Sequence, residues 1–385
     1  MLRILFFLGN VKKYELPYRL VLELSKHLIE YYSVYIELVI NNKNEKLFQI
    51  DKDIFINNLN TENILYSAQK LSEIIKKGKF DIVLSYFHRQ NKILALSKFL
   101  YPNRDTVYIG SFHQLGYYER FKGIHNIPLK AIYRFLYNRL DGIIVDSYAI
   151  KKDIYETFLI EPEKLEVIYN FINIKEIRKK ALEPLSEEEK RIFKKKVVLN
   201  VSRLIKEKRH EYLIRAFKLV KEKKKNLNLV IIGEGEEREN LEKLIDKLNL
   251  RDTVFLLGFK ENPFKYMLNS DIYVSASYKE GFSNSVLEAQ TLGLPVIAFK
   301  SKGSHIEYLN DSAIFVKDKD EKGLAKAITD LLDNEELMEE YKRKSLENIK
   351  NFSIENGAKK YMNYFETKLK EKRLENIINS ADIYD

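Results

Sequence analysis

Two glutamates eight positions apart, Glu280 and Glu288, stand around a strand-to-helix junction in the stretch EGFSNSVLEAQTLG, from Glu280 to Gly293. The residues before it, SDIYVSAS, have the pattern of a strand, and the apolar spacing after Phe282 predicts a helix. Glu280 then falls in the loop before the helix, and Glu288 falls in its second turn on the face shared by Asn284 and Ser285. Both carboxylates can reach one ligand lying across the helix start. The first N–H groups of such a helix, near Ser283 to Ser285, have no acceptor inside it and, with the helix dipole, attract phosphate. A sugar joined to a diphosphate and a ribose suits that place. The competing reading of the two glutamates is a pair of solvated charges at a helix end.

A second pair, Arg203 and Lys208, sits five positions apart in NVSRLIKEK, from Asn200 to Lys208, just after another strand-like run. In an open α/β sheet, ligands bind beyond the carboxyl ends of the strands, so a strand-end Arg and a Lys at the next helix start can converge on one anion. Arg grips phosphate oxygens through its planar fork, and Lys acts as a point charge. With a helix start beside them, the two cations can offset the charge of a leaving diphosphate without a metal. Surface salt bridging is their other use.

The order Glu-Gly-Phe-Ser-Asn, Val-Leu-Glu-Ala, Gly-Leu-Pro-Val-Ile-Ala, preceded by the Arg203–Lys208 block, resembles the signature of the retaining glycosyltransferases of family 4. The resemblance implies the GT-B fold, in which two doubly wound, Rossmann-like domains face a cleft and a C-terminal helix crosses back to the first domain. It implies transfer of a sugar from a nucleotide-diphosphate sugar to a glycan or lipid-linked acceptor, in cell-surface polysaccharide or glycolipid synthesis, with no cofactor and no metal. It assigns Arg203 and Lys208 to the donor diphosphate, with the backbone around Phe282, Ser283 and Asn284, and Glu288 to the ribose. Glu280 would hold the donor sugar hydroxyls. His113, which follows a strand in Tyr-Ile-Gly-Ser-Phe-His-Gln, matches the family's cleft histidine and would touch the transferring sugar or the acceptor. Supporting roles fall to Gly233 in a turn at the cleft, to Gly258 and Phe259 near the base, to Gly281 for close backbone approach, and to Glu307 near the donor. No matched carboxylate is an obvious nucleophile, so front-face attack, with the leaving diphosphate assisting deprotonation, is the implied course.

One departure and several alternatives accompany this reading. Family members often carry a Gly-Gly pair after the first strand, whereas this chain reads Leu8-Gly9-Asn10-Val11-Lys12 and leaves Gly9 to take part of that role. His88, at another strand end, is the second candidate on the acceptor side. The triplets Asp51-Lys52-Asp53 and Asp318-Lys319-Asp320 have the form other glycosyltransferases use for a divalent metal, but the first lies in a polar connector and the second precedes a helix that favours aspartate. A GT-B phosphorylase or epimerase, or a non-catalytic nucleotide-sugar-binding subunit of a membrane assembly complex, would carry similar blocks.

Composition sets the frame for these motifs. With 385 residues, 45% of them hydrophobic, the chain can fill two sizeable cores. The net charge of +10 suits acidic partners, although Lys, Glu and Ile enrichment also follows from AT-rich coding or thermal adaptation. The absence of cysteine excludes disulfides and thiol chemistry and fits a reducing cytoplasm. The opening run MLRILFFLGN is too short for a signal segment and reads as a first strand, and no run approaches the ~18 apolar residues of a membrane span. Aromatic and basic residues crowd the segment from Phe112 to Arg139, where Lys130 and Arg134 share a helix face. That face suits peripheral contact with an anionic membrane on its cytoplasmic side, or simple snorkelling over a core. No nucleic-acid motif appears.

Short apolar runs alternate with longer helical periods throughout, the pattern of parallel α/β sheets. The expected division is a first domain at residues 1–172, which receives the acceptor, and a second at 173–352, which binds the nucleotide-sugar. The terminal helix, 353–385, returns to the first. The charged stretch Asn170 to Lys196, with no strand pattern, is the expected connector.

Overall fold

In the computed structural model, which describes residues 1–9, 16–41, 54–300, 302–303 and 305–381, the chain divides into two compact units. One is Met1–Phe171 with Ile354–Asp385, the other Ile172–Ser353. Asn10 to Lys12 of the first loop, the Asp51-Lys52-Asp53 triplet, Ser301, Ser304 and the last four residues fall outside the described residues.

Among the described residues the first unit is built on a seven-stranded parallel sheet. Its strands are β1 (Arg3–Gly9), β2 (Tyr35–Ile40), β3 (Phe55–Asn58), β4 (Ile82–Tyr86), β5 (Val107–Phe112), β6 (Gly142–Val145) and β7 (Leu165–Val167), in the spatial order β3-β2-β1-β4-β5-β6-β7. Runs such as Ile82–Tyr86 are buried at every position, because helices cover both faces of a parallel sheet and no polar alternation is needed. One face packs Phe6, Leu38 and Leu84 against the helix Leu16–Tyr32; the other packs Leu5, Phe7 and Val83 with Tyr137 and Phe158. The strand β3, with two asparagines, is not marked by the sequence pattern. It forms at the sheet edge by pairing Glu37 with Phe55 through Ile40 with Asn58.

The helix Ile354–Ala381 crosses back to this unit and adds Ile354, Ala358, Tyr361, Met362 and Phe365 to the core beneath β1. Its approach to β6 is close: a Cβ on Gly142 would stand 2.0 Å from the Tyr364 hydroxyl.

The second unit carries β8 (Lys196–Val201), β9 (Leu227–Ile232), β10 (Val254–Leu256), β11 (Ile272–Ser275), the short β12 (Lys279–Glu280), β13 (Val296–Phe299), the short β14 (Lys302–Gly303) and β15 (Ala313–Val316). The main sheet runs β10-β9-β8-β11-β13-β15, all parallel, while β12 and β14 pair with each other. The expected connector is itself structured: it holds the helices Ile174–Ala181 and Glu187–Ile192, the latter opened by a capping box between Ser186 and Glu189. Both helices belong to the second unit. No helix among the described residues is long and apolar enough to cross a membrane.

Candidate active site

In the second unit the carboxyl ends of β8, β9, β10 and β11 carry most of the residues singled out above. Two glycines let neighbouring loops touch. A Cβ on Gly233, which sits at φ +145°, would meet Ser202 O at 2.0 Å, and one on Gly235 would meet Leu204 O at 2.3 Å. The loop after β8 is thereby clamped to the loop after β9 by hydrogen bonds from Ser202 N to Ile232 O and Leu204 N to Glu234 O. Gly233 N in turn donates to Gly258 O, next to the exposed Phe259.

Beneath this loop lies a buried polar knot. Asn200 Nδ2 donates to Val274 O at 2.8 Å, Ser202 Oγ donates to Asn200 Oδ1 at 2.8 Å, and His210 Nε2 lies 2.9 Å from Ser202 Oγ and 3.1 Å from Asn200 Oδ1. Burial, reinforced by Lys208, lowers the His210 pKa to about 4, so the ring stays neutral. The knot ties the end of β8 to the helix His210–Lys223 and so fixes both ends of the loop bearing Arg203 and Lys208.

Lys208 Nζ contacts Glu280 Oε2 at 2.5 Å, and Tyr278 N donates to Glu207 O at 2.8 Å. Two loops far apart in sequence are thus joined through an ion pair and a backbone bond. Glu280 is held from the other side by β14, where Gly303 at φ +138° lies so close that a Cβ would meet Glu280 O at 1.9 Å. Gly281 follows directly and leads into the helix Asn284–Thr291. Its N-cap, Ser283, makes no side-chain cap bond; the hydroxyl lies instead 3.3 Å from Ser285 Oγ. The helix start therefore lacks the cap that a serine ordinarily supplies.

Tyr273, on β11, links these parts. Its hydroxyl donates to Val201 O at 3.1 Å and lies 2.9 Å from Ser285 Oγ, which can donate to it, within one geometry that spans β8, β11 and the helix start. Burial holds its phenol well above the ordinary value, and the charges of Glu288 and Glu280 push the same way. Glu288 itself is buried, as is Asn284. Phe282 turns its ring inward against Tyr308, with centroids 4.5 Å apart. Tyr308 Oη accepts from Ser283 N at 3.3 Å. Glu307, half-buried beside it, adds to the upward push that burial and Glu280 exert on that phenol. His305 is fully buried. Burial lowers its pKa to about 4, with Glu280 opposing and Lys208 assisting.

Arg203 is exposed just beyond the end of β8 and, among the described residues, makes no ion pair with Glu280 or Glu288. The triplet Asp318-Lys319-Asp320 is used otherwise: Asp318 pairs with Arg209, and Asp320 caps the helix Glu321–Asp333 by accepting from Gly323 N at 2.8 Å. Among the described residues no group of three or more His, Asp or Glu side chains is placed to hold a metal ion.

In the first unit, His113 follows β5 and is fixed on three sides. Its Nδ1 lies 2.8 Å from both oxygens of Asp146, its Nε2 lies 2.8 Å from Ser111 Oγ, and its ring stacks on Tyr86 at 5.0 Å. A carboxylate only accepts, so Nδ1 carries the hydrogen. Phe87, a non-glycine residue at φ +72°, turns the chain out of β4 and sets its ring edge-on to His113 at 5.5 Å. Asp146 is buried and also accepts from Asn170 Nδ2 at 3.3 Å. The sequence places Asp146 at a strand end but gives no sign of its partner, which comes from a strand 33 positions earlier in the chain. Tyr273 is hidden in the same way, inside a run that reads as an ordinary strand.

His88 does not join this group. It lies in the other core of the sheet, ringed by Tyr117, Phe121, Tyr133 and Phe158, with Nδ1 2.8 Å from Tyr137 Oη. Burial, with Lys92 and Arg120, lowers its pKa to about 3. Gly9, at φ +73°, ends β1 where a Cβ would overlap the Gln90 amide at 1.8 Å.

Known proteins of one family and fold match the chain. The family model described as Glycosyl transferases group 1 matches residues 183–348, and that described as Glycosyltransferase Family 4 matches residues 19–176. A Campylobacter jejuni N-acetylgalactosamine-N,N'-diacetylbacillosaminyl-diphospho-undecaprenol 4-alpha-N-acetylgalactosaminyltransferase is 30% identical over 302 residues, 77% of this chain and 80% of that protein. An uncharacterized glycosyltransferase of Methanocaldococcus jannaschii is 34% identical over 251 residues, 64% of this chain and 62% of its own length. Among solved structures, a glycosyltransferase of Rickettsia africae matches with a TM-score of 0.78 at 20% identity, covering 96% of this chain and 99% of that one. The chain belongs to glycosyltransferase family 4, with the GT-B fold. It is a nucleotide-sugar-dependent glycosyltransferase.

Proposed function

We propose that the second unit binds the nucleotide-sugar at the ends of β8 to β11 and that the reaction retains configuration at the transferred sugar without a metal. The observation that carries this reading is the Lys208–Glu280 pair at 2.5 Å beside a helix start that Ser283 leaves uncapped. An entering diphosphate draws Lys208 away from the carboxylate, meets Arg203, takes the Ser283 N–H in place of Tyr308 Oη together with the Asn284 N–H, and leaves Glu280 to accept from the sugar hydroxyls. Glu288 serves the ribose, Gly258 and Phe259 the base, and Gly233, Gly281 and Glu307 support the loops. Charge that develops on the leaving diphosphate is stabilised by groups already in place, which is the main electrostatic contribution to rate.

On the first unit, His113 oriented by Asp146 exchanges its Ser111 contact for a hydroxyl of the transferring sugar or the acceptor. Gly9 lies at the end of β1 on the same side of that sheet. His88 serves the core. The acceptor class we infer is a lipid-linked glycan used for cell-surface polysaccharide or glycolipid, at the cytoplasmic face of a membrane. The acceptor of the Campylobacter relative, carried on a diphospho-undecaprenol, supports that class.

The test is transfer or donor hydrolysis in Arg203→Ala, Glu280→Gln and Asp146→Asn. Losses on the order of 10²-fold or more in each are expected, together with a nucleoside-diphosphate thermal shift that Arg203→Ala diminishes and Asp146→Asn leaves intact. Full activity in Glu280→Gln, or a shift indifferent to Arg203, would overturn the assignment.

A further inference from the structure

The helix Ile127–Tyr137 of the first unit turns Tyr133, Leu136 and Tyr137 into the core. Its other side is also apolar. Ile127, Pro128, Ala131, Ile132 and Phe135 are exposed, and at ~100° per residue they fill one continuous arc. A helix that is hydrophobic all round is ordinarily covered all round, yet Ile127, Ile132 and Phe135 stay 55%, 53% and 48% exposed. The patch continues onto Phe99, whose exposed ring meets that of Phe135 edge-on at 5.4 Å.

Charge identifies what covers it. Lys130 and Arg134 border the arc, Arg139 lies 3.9 Å over the Phe135 ring, and the segment from Ile124 to Arg139 contains no Asp or Glu. Behind Phe99 and Arg139 opens a groove of about 580 Å³, lined also by Lys98, Lys164, Lys368 and Lys372, with Asp141, Glu371 and Glu375 as its acids. Those lysines are paired, Lys98 and Lys372 with Asp141, Lys368 with Glu371 and Lys164 with Glu161, so the cations at the border of the arc are Lys130, Arg134 and Arg139. A second copy of the chain meeting this face about a two-fold axis would set Lys130, Arg134 and Arg139 against their own equivalents, which disfavours self-association. An anionic bilayer offers both complements, acyl chains for the arc and phosphates for its border.

We propose that this face of the first unit docks on an anionic lipid surface. Ile127, Ile132, Phe135 and Phe99 enter the headgroup boundary, while Lys130, Arg134 and Arg139 hold lipid phosphates. The inference deepens the lipid-linked acceptor reading, but its test requires no sugar transfer, so each can fail alone.

The experiment is co-sedimentation of the full chain with phosphatidylglycerol–phosphatidylcholine vesicles and with phosphatidylcholine vesicles. Binding to the anionic vesicles alone is expected, and it should weaken as salt is raised. The double variants Ile132→Ser with Phe135→Ser, and Lys130→Glu with Arg134→Glu, should each lower partitioning about tenfold or more with the unfolding temperature unchanged. Absence of binding at low salt, or variants that bind as the parent does, would overturn the proposal. So would a dimer, seen by light scattering, that the Phe135→Ser variant dissolves while vesicles are ignored.

Discussion

Tyr273 shows how one hydroxyl can hold several functional parts in register. It bonds Val201 O and Ser285 Oγ, and it feels both Glu280 and Glu288. Tyr273→Phe keeps the ring's packing and removes the hydroxyl, leaving Val201 O without that donor. A cost of about 1–3 kcal/mol is expected in urea unfolding, with a higher KM for the donor and a smaller change in kcat. Unchanged KM with lowered stability would make Tyr273 purely structural. The residue scale is also where the sequence was most informative and most silent. Arg203, Lys208, Glu280 and Glu288 stand in blocks with recognisable spacing. Tyr273 and Asp146 do not, because each lies in an apolar strand run and gains its partners only when distant strands pair. His88 is the converse: a strand-end histidine by position, it is turned into an aromatic core that no local pattern announces.

The secondary elements divide in a similar way. Runs such as Ile82–Tyr86 were legible because buried parallel strands are simply apolar, whereas β3 exists through its neighbour β2 and carries no periodicity of its own. The expected connector hides two helices since charge-rich helices on a surface lack a broad apolar stripe. The terminal helix was legible from Tyr361, Tyr364, Phe365 and Leu369, which do share the face laid on the first sheet. That face is amenable to test. Phe365 is fully buried, so Phe365→Ala should lower unfolding free energy by about 3–5 kcal/mol. A loss under about 1 kcal/mol in urea denaturation would mean that the helix docks loosely.

At the scale of the whole molecule, three enclosed histidines, His88 half-buried and His210 and His305 buried, make stability depend on acidity. His88 is held at about 3, His210 and His305 at about 4, with burial the leading cause in each, against an ordinary value of 6.5. Since the folded pKa values are depressed, the unfolded chain binds protons between about pH 6.5 and 4 that the folded chain does not. Stability is therefore full above that window and is lost as pH falls through it, by on the order of 1–3 kcal/mol per histidine. Urea midpoints measured from pH 7 down to 5 should fall, and His305→Gln should flatten the slope. A midpoint independent of pH would contradict the neutral, enclosed state of these rings.

The order in which the chain is made gives the returning helix a further consequence. Residues 172–353 intervene between the first unit's sheet and the helix that completes its core. At about 5–20 residues per second, a ribosome needs roughly 10–40 s to cross them. During that interval the nascent first sheet lacks Ile354, Ala358, Tyr361, Met362 and Phe365, and the apolar surface they cover is open to chaperones and to other newborn chains.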